Sequence, residues 1–282
     1  MHVIAGPSSP VLAERIANRL NVNLARVTYK KFPDGELYVK LDEKVEKATV
    51  VQSIRSSDDI VYLMLLFDAL GDFLDKEDIT AVIPYMGYAR QDRAFNEGEA
   101  VSIRAIAEFL ETHSSKVVSV NLHSREAASH FRNLIEADAM PVIGEHYRDR
   151  DVVMISPDRG SLERVKVAAK FAGCEYDYLE KVRIDAETVE IQPKNVDVEG
   201  RDVVIVDDII STGGTIAKAA ETMVENGAKS VEAACVHAVL AANALNKLYS
   251  HGIRKVIATD TIEQAVSILS VSKIIADKLN IN

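Results

Sequence analysis

Short apolar, β-branched runs recur along the chain, and stretches of helical periodicity fill the intervals between them. The strand candidates are 2–5, 48–52, 79–83, 117–120, 152–155, 176–179, 203–206, 231–236 and 255–258. Several are apolar on both faces, as strands of a parallel sheet covered by helices on each side are. In one of the intervals Ile216, Ala219, Ala220, Met223 and Val224 share a helical face, while Lys218, Glu221 and Glu225 point away from it. Gly227 then supplies the residue just past the helix end. Alternation of this kind predicts an α/β protein built on doubly wound parallel sheets. A break near Ala139, Met140 and Pro141 separates two halves of similar pattern, so two domains are expected, 1–140 and 141–265. The final stretch reads as helical from Gln264 onward, and this C-terminal helix, 266–282, can pack on either domain, the first included.

Composition narrows the class. A chain of 282 residues, 48% hydrophobic, suffices for two ordinary cores. No apolar run approaches the ~20 residues of a membrane span, and the opening MHVIAGPSSP lacks the basic start and apolar centre of a secretory signal. Cys174 and Cys235 stand far apart with no CxxC pair, which argues against a disulfide framework or structural zinc and fits a reducing cytoplasm. The net charge of −10 argues against nucleic-acid and anionic-membrane partners. A small anionic substrate remains open, because local charge and a metal ion decide that.

The most informative stretch is RDVVIVDDIISTGGT, from Arg201 to Thr215. An apolar strand runs into two acids, Asp207 and Asp208, and then into Ser211, Thr212, Gly213, Gly214 and Thr215. A glycine-bearing turn into a helix start offers unpaired N–H groups and a favourable dipole to an anion. The chain contains no Gly-Lys dipeptide and no GxGxxG, so this is neither a Walker loop nor a dinucleotide fingerprint. Acids beside a phosphate cradle make sense when they serve another part of the same ligand, such as the vicinal hydroxyls of a sugar. A sugar phosphate held at both ends is the reading favoured over a plain capped helix.

Four further stretches fall at predicted strand ends or turns. PYMGYARQDR places Arg90, Gln91, Asp92 and Arg93 after the strand 79–83, where two arginines suit a polyphosphate and a purine edge; alone, a solvated loop with an Arg-Asp pair fits as well. KFPDGE, with Phe32, Asp34, Gly35 and Glu36, is a turn by its Pro-Asp-Gly centre and by itself could be a plain hairpin. His123 in NLHS and Asp158 in SPDRGS follow two more strands; a lone histidine is more often a structural residue than a ligand, and Asp158 suits the N-cap of the helix after Gly160. Lys181 and Arg183 alternate in LEKVRIDAETVEIQP, as surface cations or as a pair acting from one face of an extended segment.

Taken together these segments resemble the ribose-phosphate diphosphokinase family. VDDIISTGGT is similar to the phosphoribosyl-diphosphate motif that this family shares with type I phosphoribosyltransferases. The FPDGE and RQDR segments are similar to the nucleotide-binding segments of the diphosphokinases and have no counterpart in the transferases. The resemblance extends from Phe32 to Thr261 in the family's order, and the chain length is more like archaeal members than bacterial ones. It implies two domains of the type I phosphoribosyltransferase kind, with ATP held by Phe32, Asp34, Gly35, Glu36, Arg90, Gln91, Asp92 and His123. It implies Mg2+ on His123 and Asp158, and D-ribose 5-phosphate on Arg183, Asp207, Asp208 and Ser211 to Thr215. Lys181 and Arg183 would be catalytic, on a lid closing over the transferring phosphates. The family also implies a cytoplasmic homo-oligomer, at least a dimer, whose Phe32 turn completes the ATP site of a neighbour. Two positions depart from the pattern: Asn121 stands where an acid is usual before Leu-His, and Ser161 where a second glycine is usual. The rivals are a phosphoribosyltransferase that consumes the diphosphate and a non-catalytic homologue, against which the intact motifs speak.

Overall fold

The computed structural model describes residues 1–183 and 189–280, and side chains outside 181–192. The chain forms two compact units: Met1–Asp138 with Thr261–Glu263 and Ser270–Asn282, and Ala139–Asp260 with Gln264–Leu269.

The first unit runs β1 (His2–Ala5), α1 (Pro10–Leu20), β2 (Asn23–Leu24), β3 (Val27–Lys31), β4 (Leu37–Leu41), β5 (Ala48–Val51), α2 (Ser57–Gly71), β6 (Ile79–Ile83), α3 (Ser102–His113), β7 (Lys116–Val120), α4 (Arg125–Ser129) and β8 (Leu134–Ala137). Six strands make one parallel sheet in the order β2-β1-β5-β6-β7-β8. All four residues of β5 are buried, which is why it is apolar on both faces but for Thr49. Leu63, Leu66, Phe67 and Leu70 on α2 and Ile103, Ala107 and Leu110 on α3 close over the sheet. Each fully buried side chain of this size stabilises the fold by about 1.5–3 kcal/mol.

A buried polar strap holds the first turn of this unit. Gln52 accepts from Ser8 N–H at 3.0 Å and donates to Asp59 at 3.0 Å. Asp59 in turn closes a capping box with Ser56 at the start of α2. Gly6 is required here, since a Cβ would sit 2.0 Å from the Gln52 amide oxygen. Outside the sheet, β3 and β4 form an antiparallel hairpin that rests on α2, with Tyr29, Val39 and Leu41 packed inward and the Tyr29 hydroxyl donating to the Ala5 carbonyl at 2.8 Å.

The second unit runs α5 (Met140–His146), β9 (Val152–Ser156), α6 (Leu162–Ala172), β10 (Glu175–Arg183), β11 (Val189–Pro193), β12 (Asp202–Ile210), α7 (Gly214–Glu225), β13 (Ser230–Ala238), α8 (Ala244–Ser250), β14 (Ile253–Thr259) and β15 (Ser267–Leu269). Its sheet has the order β11-β10-β9-β12-β13-β14-β15, parallel except for the antiparallel β10–β11 edge. Two expectations change. Val224 lies 49% exposed, outside the buried stripe of α7. The helix read from Gln264 starts only at α9 (Ser272–Leu279): residues 267–269 are instead a strand, pairing Ser267 with Ala258 and Leu269 with Thr259. The chain then returns to the first unit, where α9 packs on α1 and Arg19 donates to the Ser272 hydroxyl at 2.8 Å. Glu263 likewise accepts from Leu12 N–H at 2.8 Å. Among the described residues no helix is long and apolar enough to cross a membrane.

Candidate active site

In the second unit the functional residues gather at the carboxyl ends of β9 and β12, where ligands bind in open parallel sheets. The acid pair lies within β12, two residues before its end at Ile210. Asp207 is half-buried; its Oδ1 accepts from the Ser161 hydroxyl at 2.6 Å and from Asp208 N–H at 2.9 Å. Burial first, and the neighbouring Asp208 second, push its carboxyl up to about 7. Asp208 is only 3% exposed and lies 3.2 Å from the Arg164 guanidinium of α6. Asp207 through Ser161 and Asp208 through Arg164 both reach the start of α6, and the expected grip of the pair on one sugar belongs to the function proposed below.

The turn that follows has the shape its residues suggest. Gly213 takes φ +71° at the helix start, a left-handed conformation that glycine adopts without strain. Its carbonyl accepts from Ala217 N–H at 2.8 Å, and Lys247 fastens the preceding Thr212 carbonyl at 3.0 Å. Thr212, Gly214 and Thr215 are exposed and Ser211 is half-buried. The first N–H groups of α7 have no acceptor within their own helix and offer an anion site. Beside them lies a cavity of about 400 Å³, whose wall includes Asp158, Leu179, Thr215 and Lys218. On the polar side of α7, Lys218 sits one helical turn beyond Gly214, the spacing that brings it to the cavity.

Asp158 is exposed after β9, and its Oδ1 accepts from Gly160 N–H at 2.7 Å and Ser161 N–H at 3.1 Å. The capping and metal-binding readings are thus compatible, because a carboxylate has further lone pairs to offer. Lys181 and Arg183 occupy the end of β10 by backbone pairing with Ile191 and Val189; their side chains, and the expected lid beyond Arg183, lie outside the described residues.

In the first unit two loops leave the ends of β6 and β7 and are clasped together. Asp92, 6% exposed, accepts from the Ser124 hydroxyl at 2.5 Å, and its carbonyl pairs with the His130 ring at 2.8 Å. Ser124 also caps α4 by accepting from Ala127 N–H at 3.0 Å. The Ser124 hydroxyl, ahead of Arg93, holds the Asp92 carboxyl below its ordinary range. The Asp92 carboxylate thereby ties the two loops together, beside the Arg90 and Gln91 expected to meet the nucleotide with it. Arg90 is exposed, Gln91 is half-buried and donates to the Arg93 carbonyl at 3.0 Å, and Arg93 stacks over Phe95 with 5.7 Å to the ring centroid. Phe95 is 69% exposed, an aromatic surface the motif reading passed over.

His123 is exposed, on a loop fixed from below. Asn121 enters the left-handed region at φ 38° and donates to Asp138 at 2.8 Å, and Glu136 accepts from Leu122 N–H at 2.7 Å. An amide at position 121 avoids setting a second carboxylate against Asp138. The Phe32 turn is the tip of the β3–β4 hairpin: Phe32 N–H donates to the Glu36 carbonyl at 2.8 Å, and Gly35 takes φ +97°. Asp34 accepts from Glu36 N–H at 3.3 Å, and Phe32 is 45% exposed, edge-on to Tyr38. Among the described residues no group of three or more His, Cys, Asp or Glu side chains is arranged to hold a metal ion.

Parallel-sheet units with ligand residues at the strand ends, the second carrying an acid-then-glycine turn, define a two-domain α/β protein of the type I phosphoribosyltransferase kind. A family model for the N-terminal domain of ribose phosphate pyrophosphokinase matches residues 1–113, and one for the phosphoribosyl transferase domain matches residues 130–269. Ribose-phosphate pyrophosphokinase 2 of Archaeoglobus fulgidus is 58% identical over 99% of this chain and 100% of its own. A ribose-phosphate pyrophosphokinase of Methanothermobacter thermautotrophicus is 45% identical over 98% of both chains. The crystal structure of phosphoribosylpyrophosphate synthetase from Mycobacterium smegmatis superposes with a TM-score of 0.81 at 33% identity, covering 99% of this chain and 97% of that one. The chain belongs to the ribose-phosphate pyrophosphokinase family, that is, the ribose-phosphate diphosphokinases.

Proposed function

We propose that this protein transfers the diphosphoryl group of ATP to the C1 hydroxyl of D-ribose 5-phosphate, giving 5-phosphoribosyl 1-diphosphate and AMP for nucleotide biosynthesis. The C1 oxygen attacks the β-phosphorus in line, the bond from that phosphorus to the α–β bridging oxygen breaks, AMP departs, and the hydroxyl proton is released. Such transfers depend on positioning and on neutralising charge over the transferring oxygens rather than on a covalent enzyme intermediate. The observation that carries the reading is the clasped pair of loops in the first unit. A phosphoribosyltransferase needs the Asp207 to Thr215 turn but has no use for a nucleotide half in which the Arg90–Arg93 run and the His123 loop are held together through Asp92 and Ser124.

Arg90 and Gln91 hold the ATP phosphates and base, and the Phe32 turn (Asp34, Gly35 and Glu36 included) closes on the adenine. Asp207 and Asp208 accept from the ribose hydroxyls, while Ser211, Thr212, Gly213, Gly214 and Thr215 surround the 5-phosphate. Lys181 and Arg183 supply cations to the transferring diphosphoryl group. Mg2+ is typically bound through one or two carboxylates together with substrate phosphates; the exposed Asp158 carboxylate suits that pattern, and His123, an exposed imidazole, is the other ligand of the proposal. When bound, the ion supplies charge neutralisation at the phosphate oxygens. A cytoplasmic homodimer completes the proposal. Purified protein given ATP and ribose 5-phosphate should release AMP and phosphoribosyl diphosphate in equal amounts. Consumption of phosphoribosyl diphosphate with a nucleobase, and no ATP-dependent AMP, would move it to the phosphoribosyltransferases.

A further inference from the structure

Ser161 breaks a local rule in an informative way. It occupies the N-cap position of α6, where a serine ordinarily turns its hydroxyl onto the N–H groups of the first turn. Here the side chain makes no capping hydrogen bond. The hydroxyl instead reaches across to β12 and donates to Asp207 Oδ1 at 2.6 Å, from a residue only 5% exposed. Asp158 serves this end of the helix in its place, accepting from Gly160 N–H and from Ser161's own N–H. A side chain diverted from the structural task its position favours is a sign of function.

We infer that Ser161 is a positioning residue for the sugar: it fixes the Asp207 carboxylate in the rotamer that meets the ribose hydroxyls and couples that acid to the Asp158 loop. The inference rests on the reading that this unit binds ribose 5-phosphate. Oδ1 of Asp207 takes both Ser161 and Asp208 N–H, so a diol from the substrate is met by Oδ2, and the plane of the carboxylate is set before the substrate arrives. Preorganisation of this sort strengthens binding by removing the entropy of ordering the acceptor on contact. The same residue carries the link to the cavity, because its N–H and its hydroxyl point to different acids: Asp158 on one side and Asp207 on the other. A glycine at 161, the residue usual in the resembled motif, would keep the first link and lose the second. From the same first turn of α6, Arg164 holds Asp208, so one helix start sets both members of the acid pair.

The test uses Ser161→Ala and Ser161→Gly, with Asp207→Ala as the background for a double-mutant cycle. Calorimetric titration of ribose 5-phosphate and of ATP, each alone, supplies the readout, with melting temperatures as the check on folding. Losing the preset rotamer of Asp207, so that its ordering falls on binding instead, is worth about fourfold to tenfold in affinity. Both Ser161 variants should weaken ribose 5-phosphate by about that much and leave ATP within twofold, and the penalty should shrink to under threefold in the Asp207→Ala background. A glycine variant that folds as the parent does keeps the test open if the alanine variant does not fold. Unchanged ribose 5-phosphate affinity, equal losses for both ligands, or a full penalty that persists without Asp207 would each overturn the positioning role. The parent separates this outcome from failure of the underlying reading: a parent that binds no ribose 5-phosphate overturns both, whereas one that binds it, with variants that bind equally well, overturns Ser161 alone.

Discussion

Asp207 is pulled in opposite directions by stability and by binding. Burial and the adjacent Asp208 raise its carboxyl to about 7, yet a sugar diol is best met by the ionised form. Affinity for ribose 5-phosphate should therefore climb as pH rises through about 7 and level off above it. In the unfolded chain the same group loses its proton near the ordinary aspartate value of about 3.9. Between about 4 and 7 the folded state holds a proton that the unfolded state has released, so the contribution of this group to stability falls as pH rises across that window. Asp207→Asn removes the charge and keeps the shape. At pH 8 the ligand-free variant should melt above the parent, while its affinity for ribose 5-phosphate drops about tenfold to ten-thousandfold for one or two lost charged hydrogen bonds. ATP binding should stay nearly intact. Calorimetry with each ligand and thermal melts check this, and a lower melting temperature with equal loss of both ligands would make the residue structural.

At the scale of elements, the β10–β11 ladder carries the catalytic proposal, because the backbones of Lys181 and Arg183 are among its last three paired residues toward the segment beyond. Replacing either by Ala should lower kcat far more than it raises KM for either substrate, since the charge they meet develops mainly in the transition state. Steady-state kinetics decide it; an unchanged kcat in both variants returns the pair to idle surface cations. The elements also show which parts of the fold the sequence could reveal. β5 and β9 are buried at every position, and continuous apolar runs announce such strands. The Ser-Ile-Leu strand β15 has three residues, none of them buried, and no period can be read from it. The hairpin strands β3 and β4 mix lysines with half-buried residues, so only their Pro-Asp-Gly turn was legible. The site divides in the same way. Asp207 and Gly213 stand out because a sugar phosphate needs an acid and a left-handed turn at a strand end. The hydrogen bond of Asp92 to Ser124 and the ion pair of Asp208 with Arg164 join partners about thirty or more residues apart that no local pattern connects.

The whole molecule carries a net charge of −10 and yet is proposed to gather two anionic substrates, which local cations such as Arg90, Arg93 and Lys218 reconcile with the overall balance. One part of the proposed ATP site looks away from its own chain's needs. Phe32 presents an apolar ring, 45% exposed, at the tip of a hairpin that stands outside the main sheet. An exposed aromatic at a turn gains most by packing on a base or on a partner chain. If the hairpin of one subunit completes the adenine pocket of its neighbour, two inactive variants should rescue each other. One carries Lys181→Ala, the other Phe32→Ala with Glu36→Ala. In a mixed dimer with sharing in trans, one site collects both lesions and the other has neither, so activity should return toward a quarter of the parent level when half of the dimers are mixed. With the hairpin acting in cis, every site keeps one lesion and the mixture stays inactive. Subunit exchange is followed independently by mass labelling; verified exchange without recovered activity would remove both the shared site and the main reason for expecting an obligate dimer.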